Sequence, residues 1–423
     1  MARADFQTLP GTRDLVEPTA GRVRRLVQAF AAEAEAAGFG QIVPPMFEDV
    51  GVFVRLGEAS DVVSKELYAF EDKGGREIAL RPEFTASVCR AFAQHRPLTP
   101  WKTWYAGPSF RYDKPQKGRY RQFDQVGAEV IGSHDPDLDV ELIALAWRFY
   151  QRVGLTGTSL AVNSLGDFAD RPAYLDALRS YFESNRDALS DQALATLEIN
   201  PLRVLDSKRR EDQAVVAEAP ILLDHLSDAA GAAFERVQAG LNALGVPFEV
   251  APRLVRGLDY YTRTTFEFVA DGLDAAQTAV GGGGRYDGLV EALGGPPEPG
   301  VGFALGVDRT LLALEADGAV AEAGPAVDVW VVATTPGTEG LALAEELRAV
   351  GIRADRSYST GDGPRSMKAQ MKAANRSGAA IAVIVGEDEV AAGTVSVRTL
   401  RGEAEQAPVE RHQVVDHVRL LLS

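Results

Sequence analysis

Residues 122–131 alternate so regularly that an extended strand is the regular structure that sorts them. Successive side chains on a strand point to opposite faces. Val126, Ala128 and Val130 therefore share an apolar face, while Phe123, Gln125, Gly127 and Glu129 share the other. An amide and a carboxylate separated by a residue without a side chain make a polar niche with room for a ligand. On an isolated strand the same pattern would mean a solvated face. A second predicted strand, 101–110, comes before it and ends at Arg111. Arg111, Lys114, Lys117, Arg119 and Arg121 then lie together in the connection, with only Asp113 as an acid among them.

A chain of 423 residues has room for two to three domains, each burying its own core. Its 46% hydrophobic and 25% charged residues are those of a water-soluble globular protein. The net charge of −16 argues superficially against a nucleic-acid partner, yet phosphate binding depends on the local field, and the basic connection keeps RNA open. Cys89 is the single cysteine, so no intrachain disulfide can form and a reducing compartment is expected. The first 14 residues carry charge and no apolar h-region, and the most apolar runs, 327–333 and 379–385, are too short to span a bilayer. The expectation is a cytoplasmic protein with no membrane segment.

Periodicity predicts an amphipathic helix over 18–37, stopping at Gly38, and a strand ending at Pro44-Pro45. Residues 64–80 read as a hairpin around Asp72-Lys73-Gly74-Gly75, and 140–153 as an apolar helix. From about 167 to 244 the pattern turns helical between stretches of strand character, which suggests an insertion. Strand character resumes over 248–255. A turn-rich acidic stretch, 316–325, reads as a linker. Beyond it come strand 327–333, helix 338–350, strand 352–358, helix 365–376, strands 379–385 and 394–400, and a last helix ending near 422. Such alternation predicts a small α/β domain with a largely parallel sheet. There is no internal repeat.

Several clusters carry chemistry. The run Leu254-Val255-Arg256-Gly257-Leu258-Asp259-Tyr260-Tyr261 places a cation, a flexible glycine, an acid and two phenols together. Alternation beyond it puts Tyr260, Phe266 and Phe268 on one face and Tyr261, Arg263, Thr265 and Glu267 on the other. A Tyr-Tyr pair can also be simple packing. In Arg81-Pro82-Glu83-Phe84-Thr85, the proline biases Arg81 to an extended conformation, and Glu83 with Thr85 can face an ammonium group. The same residues could simply start a helix. Gly302 to Asp308 reads as a strand running into a helix that opens with Arg309. The run Gly281–Gly284 lacks a following Gly-Lys-Ser/Thr, which argues against a Walker-type site. Close backbone approach to a bound molecule suits it better, with Tyr286 closing the pocket. His95, His134, His225, His412 and His417 show no metal-ligand spacing. Arg365, Lys368, Lys372 and Arg376 recur at helical spacing. A solvated face is the ordinary meaning of such a stripe, but in a chain this acidic it fits RNA phosphates.

The 254–261 segment resembles the histidine-specific motif of histidyl-tRNA synthetases. Residues 110–129 resemble motif 2 of class II aminoacyl-tRNA synthetases, 302–309 motif 3, and 39–48, with Pro45, the dimer-interface motif 1. The last domain resembles the class IIa anticodon-binding domain. The resemblance implies an α+β fold, a class II synthetase antiparallel-sheet catalytic core over 1–325 with a helical insertion about 168–247. A C-terminal α/β anticodon-binding domain over 326–423 completes it. It implies that Arg256 and Arg111 contact the ATP α-phosphate, Arg111 also meeting the substrate carboxylate, and that Arg119 and Arg309 take the outer phosphates. Glu83 and Thr85 would hold the α-amino group of histidine, Gln125 and Glu129 would read its amino group and imidazole, and Tyr261 would bond the imidazole, with Tyr260 and Tyr286 completing the pocket. Arg365, Lys368, Lys372 and Arg376 would meet tRNA. Asp124 stands where an aromatic or histidine is expected, on the face pointing away, and Ala304 stands where the general class has glycine. The implied reaction joins histidine and ATP into histidyl-adenylate and diphosphate, then transfers histidine to its tRNA. ATP is the co-substrate, Mg²⁺ accompanies it, and the chain acts as a homodimer. The rival expectation is a catalytically silent, synthetase-like regulatory subunit of ATP phosphoribosyltransferase; Arg256, Glu129, Tyr261 and the full C-terminal domain speak against it.

Overall fold

A computed structural model of the chain describes residues 6–55, 65–205, 207–254, 260–273, 278–319, 327–359, 365–401 and 405–423. It divides into two compact units, Met1–Val320 and Ala321–Ser423. In the first, six strands pair antiparallel in the order Trp101–Phe110, Gln122–Ile131, Gly300–Gly306, Ala279–Arg285, Thr262–Ala270 and Thr158–Ser164. Two-residue strands, Gly40–Gln41 and Glu249–Val250, add parallel at the two edges.

One face of this sheet is the core. Val126, Ala128 and Val130 enter it as their alternation predicts, with Phe266, Phe268, Val301, Phe303 and Leu305 from neighbouring strands. Helices Thr19–Ala36, Asp137–Arg152, Asp228–Ala243 and Val307–Ala316 cover that face. Phe30 packs edge-on against Trp104, Phe149 and Phe303, with ring centroids 6.3, 5.5 and 6.0 Å away, the geometry that aromatic quadrupoles favour.

The other face is nearly bare on its two central strands, Gly300–Gly306 and Ala279–Arg285, and carries Tyr105 and Glu129 beside them. Strand register sets Glu129, Gly302, Gly284 and Thr265 side by side, and Gly127, Ala304, Gly282 and Glu267 in the adjacent row. The glycine run is thus a central strand of the sheet. Glycine has no side chain to alternate and is depleted in strands, so periodicity could not reveal it.

Helices Arg171–Ser184 and Asp191–Ile199, with short turns after them, form a satellite core from Tyr174, Leu178, Phe182, Leu197 and Val215. Helix Asp228–Ala243, expected inside the insertion, instead buries Phe234, Val237 and Leu241 in the main core. Strands Phe47–Asp49, Glu77–Leu80 and Tyr68–Glu71 make a small antiparallel sheet. Asp72 shapes its hairpin by accepting from the Gly74 and Arg76 amides at 2.8 and 3.0 Å.

In the second unit Ala354–Arg356, Val329–Ala333 and Ile381–Val385 are parallel, but Thr394–Thr399 and Gln406–Glu410 join antiparallel. The sheet is therefore mixed, a correction to the largely parallel expectation. A parallel crossover needs a dozen or more residues, whereas only the helix Glu387–Ala392 links the third strand to the fourth. Leu343, Leu347, Val414 and Val418 pack on one face of the sheet; Met371 packs on the other with Trp330, Ala382 and Ile384.

Arg285, 1% exposed, ends the glycine strand and ties it to the covering helices. It meets Asp139 at 2.6 Å and donates to the carbonyls of Ser133 and Asp135 at 3.0 and 2.9 Å. Removing one partner of a buried pair leaves an uncompensated charge. Asp139→Ala should therefore lower the unfolding free energy of this unit by about 3–5 kcal/mol in a urea titration. A change below about 1 kcal/mol, the size expected of a surface pair, would show that this link holds nothing together.

A candidate active-site cavity on the bare face of the sheet

The second of these rows borders a cavity of about 890 Å³, lined there by Gly282, Ala304 and Glu267, with Gly306 beyond them. One end is cationic. Arg309, at the start of its helix, donates to the Ala279 carbonyl at 2.9 Å and the Gly118 carbonyl at 3.3 Å. Burial, then the neighbouring Arg119 and Arg111 cations, pulls its pKa below the usual arginine value. Arg119 is held to Asp113 at 3.1 Å, and Arg111 donates to the Pro82 carbonyl at 3.0 Å with its guanidinium 5.4 Å from the Phe123 ring centroid. Three cations fixed by their neighbours can hold an oligophosphate without rearranging.

The other end carries acids, amides and phenols: Glu83, Thr85, Gln125, Tyr260 and Tyr261 all line it. Glu83 accepts from the Thr85 and Ala86 amides at 2.7 and 2.8 Å, so it does start the helix Thr85–His95 while facing the cavity. Burial raises its pKa, against those amide bonds and the Arg111 charge. Gln125 accepts from the Ser109 hydroxyl at 2.8 Å.

Glu129 and Tyr286 stand behind this wall and are not among the cavity-lining residues. One Glu129 oxygen accepts from Thr85 at 2.7 Å and Tyr105 at 3.1 Å, and the other from Tyr286 at 2.7 Å. The niche expected over Gly127 is already filled. A Cβ there would overlap the Tyr105 hydroxyl and the Phe303 carbonyl. Tyr105 stacks on Phe84, ring centroids 4.2 Å apart, and so serves as a second support for Glu129 that the alternation of 122–131 could not announce. Thr85 bridges Glu129 to the cavity.

The two tyrosines do not separate onto opposite faces as alternation predicts. Regular strand begins only at Thr262, and Arg263 has φ of 43°, in the left-handed region. That turn lets both Tyr260 and Tyr261 reach the cavity, their ring centroids 4.8 Å apart, while Phe266 and Phe268 go to the core. Asp167 holds Arg263 at 2.6 Å, and Arg171 donates to the Tyr261 carbonyl. Both partners come from the start of the insertion, which also sends Gln192, Thr196, Ile199 and Arg203 to the cavity. Arg256 lies outside the described residues.

Arg81 is buried rather than substrate-facing: it donates to the Pro108 and Pro44 carbonyls at 2.8 Å and covers the Phe84 ring at 3.9 Å. Asp124, expected to point away, borders the cavity, with its pKa raised by burial and by Asp308. Among the described residues no cluster of His, Cys, Asp and Glu could cage a metal ion. In the second unit, Lys368, Lys372 and Arg376 are exposed on helix Met367–Ser377, opposite buried Gln370, Ala373 and Ala374. Arg365 precedes the Ser366 cap, so it stands before that helix and not on it.

The histidyl-tRNA synthetase family profile matches residues 11–310, and the anticodon binding domain profile matches 328–420. The chain belongs to the histidyl-tRNA synthetase family. It is 49% identical to a histidine–tRNA ligase of Rhodococcus erythropolis over 98% of each chain, and 48% identical to that of Rhodococcus opacus over 100% of each. It also resembles the solved apo histidyl-tRNA synthetase of S. aureus, at TM-score 0.81 and 35% identity, covering 98% of this chain and 100% of that one. The whole cavity falls inside the synthetase match, and the basic helix inside the anticodon-domain match.

Glu129 gives the site a titration of its own, because burial lifts its pKa from 4.5 to about 8 against the three hydroxyl bonds. The unfolded carboxyl ionises near the ordinary value and the folded one only near 8, so this group's contribution to stability falls as pH rises through that window. Glu129→Gln cannot ionise. Thermal melts should show the variant gaining on the parent between pH 5 and pH 8, about the two ends of that window. Parallel pH profiles for the two proteins would mean that Glu129 does not titrate there.

Proposed function

We infer that this protein is a histidine–tRNA ligase, which activates L-histidine with ATP and passes the histidyl group to the 3′ end of its tRNA. The observation that carries this reading is a family match spanning the catalytic and anticodon-binding units together, with relatives 48–49% identical along their full length. The regulatory-subunit reading has less support, since it gives no reason for the anticodon-binding match at 328–420.

In the reading we favour, the histidine carboxylate attacks the α-phosphorus of ATP and diphosphate leaves. Arg111 steadies the charge building at that phosphorus, and Arg119 and Arg309 hold the outer phosphates. Arg256 is assigned to the same phosphate as Arg111. Glu83, with its carboxylate between two backbone amides, and Thr85 face the α-ammonium group. Gln125 and Tyr261 border the ring pocket. Glu129, Tyr260 and Tyr286 form the layer that sets its polarity. A substrate unable to pair with the cavity-facing groups would displace their water without replacing its bonds, which discriminates strongly without a second editing step.

Mg²⁺ fits as an ion arriving with ATP. Glu267 lines the cavity beside Arg309, and a magnesium ion is commonly held by one or two carboxylates plus substrate phosphates. When bound, it would neutralise phosphate charge. The exposed Val43, Met46, Phe47 and Phe70 on and beside the small sheet support a homodimer through that surface. A cytoplasmic setting agrees with the single buried Cys89, and no helix among the described residues is long and apolar enough to cross a membrane.

The deciding measurement is ATP–diphosphate exchange, which should depend on histidine; exchange that ignores histidine would sink the ligase reading. Within that assay Arg111→Ala should slow exchange about 10²–10³-fold, the typical loss of one oriented donor. A parental rate would remove Arg111 from the chemistry. The second unit is read as the tRNA-binding part, through Lys368, Lys372 and Arg376, with Arg365 at the foot of the helix. Neutralising the three helix cations should leave exchange intact while weakening tRNA binding. Each lost phosphate contact should also cut the slope of log affinity against log salt by about 0.7–0.9. An unchanged slope would make the stripe a merely solvated face.

A further inference from the structure

We propose that Arg13 is a positioning residue for the cationic end of the cavity, clamping the 111–121 connection to the start of helix Val307–Ala316. The clamp keeps Arg119 and Arg309 at a fixed separation. The proposal rests on the reading that these two arginines hold ATP phosphates.

Arg13 donates through Nη2 to Asp308 Oδ1. The other oxygen of that carboxylate, which is 6% exposed, accepts from the Asp124 amide at 3.2 Å. One acid thus joins the N-terminal segment, the strand Gln122–Ile131 and the first turn of the helix that carries Arg309. The Arg13 guanidinium also lies 3.5 Å from the Tyr120 ring centroid, close enough for a strong cation–π contact. Two residues earlier, the Gly11 carbonyl accepts from the Arg121 amide at 2.8 Å and the Gln122 amide at 3.4 Å. Gly11 has φ of 82°, and a Cβ there would come within 2.7 Å of the Arg121 side chain, so the segment lies flat against the loop. Tyr120 follows Arg119, and Asp308 precedes Arg309; both clamped residues border the cavity. The two side chains that Arg13 touches are therefore each one residue from a cavity cation.

Arg309 already meets the loop at the Gly118 carbonyl and Asp113 holds Arg119, and Arg13 adds a further restraint on the loop at Tyr120. Between Arg111 and Arg121 its only ladder among the described residues is the bridge Gln116–Arg119, and Arg119 and Arg111 both act unfavourably on the charge of Arg309. Repulsion between these cations works against the close placement of the loop over Arg309, in part offset by Asp113 and Glu267. Arg13 opposes this by stacking on Tyr120, and Asp308 neutralises the charge that Arg13 brings, so the restraint adds no net repulsion.

The test is histidine-dependent ATP–diphosphate exchange in the full chain, with ATP and histidine varied separately and folding checked by thermal melt. Arg13→Gln should raise KM for ATP on the order of 10-fold, the scale of one lost charge-assisted contact, and leave KM for histidine unchanged. Arg13→Lys, which keeps the charge but not the planar fork, should fall between. Tyr120→Leu, which removes only the stack, should show the same split in weaker form, and it decides the matter if Arg13→Gln does not fold. A merely structural role would move both KM values together or neither, and either result overturns the clamp. Arg309→Ala, run alongside, separates the two ideas. A parental KM for ATP there would overturn the phosphate reading and the clamp with it, whereas a raised value there with a parental value in Arg13→Gln would overturn the clamp alone.

Discussion

A side chain on Gly302 would collide with the Glu129 carboxylate, and the architecture of the site follows from that one constraint. Antiparallel register pairs Gly302 with Glu129 on one side and with Gly284 on the other. Because side chains alternate, the same register that sends Val301, Phe303 and Leu305 into the core aligns the side-chain-free positions on the opposite face. A slip of one residue would turn the apolar set outward and fill the cavity floor with it. Core packing thereby enforces the shape of the site, and neither can change alone.

Polarity is distributed along the cavity in the same economical way. Cations gather where the basic connection meets the helix of Arg309; the Glu83 carboxylate and the phenols of Tyr260 and Tyr261 lie at the other end. Held apart, the two ends suit a substrate pair in which one molecule is a polyanion and the other an ammonium-bearing amino acid. The chain's net charge of −16 says nothing of this, because phosphate responds to the field within about a Debye length, roughly 8–10 Å at physiological salt.

The groups that hold the site come from distant parts of the chain. Asp167 and Arg171, from the insertion, fix the turn that brings Tyr261 inward. Tyr105, on the neighbouring strand, fills the space above Gly127 and supports Glu129. Arg81, over the Phe84 ring, ties one loop to the strand Trp101–Phe110 by donating to the carbonyls of Pro44, Pro45 and Pro108. Arg171 touches Tyr261 of the cavity wall and Tyr105 touches Glu129 behind it, and such support limits how far the site must reorganise when a charged ligand enters.

Periodicity alone determined a good deal here. Strands Trp101–Phe110 and Gln122–Ile131 emerge with their expected bounds, and the sorting of Val126, Ala128 and Val130 to the core holds, because a half-buried strand writes its burial into every second residue. The motif residues Arg111, Arg119, Glu83, Thr85, Gln125, Tyr261 and Arg309, separated by up to more than two hundred positions, do converge on one cavity. What the pattern could not express was contact between elements. The strand of Gly281–Gly284 was hidden because glycine carries no alternation, and the inward turn of Tyr261 because a φ of 43° at Arg263 is paid for by an insertion residue. Glu129 looked ligand-facing until Tyr105, from the middle of the neighbouring strand, and Tyr286, just past the end of the glycine strand, closed over it. Local alternation is encoded residue by residue, whereas space, and therefore who fills a niche, is settled only when strands far apart in the chain take their register.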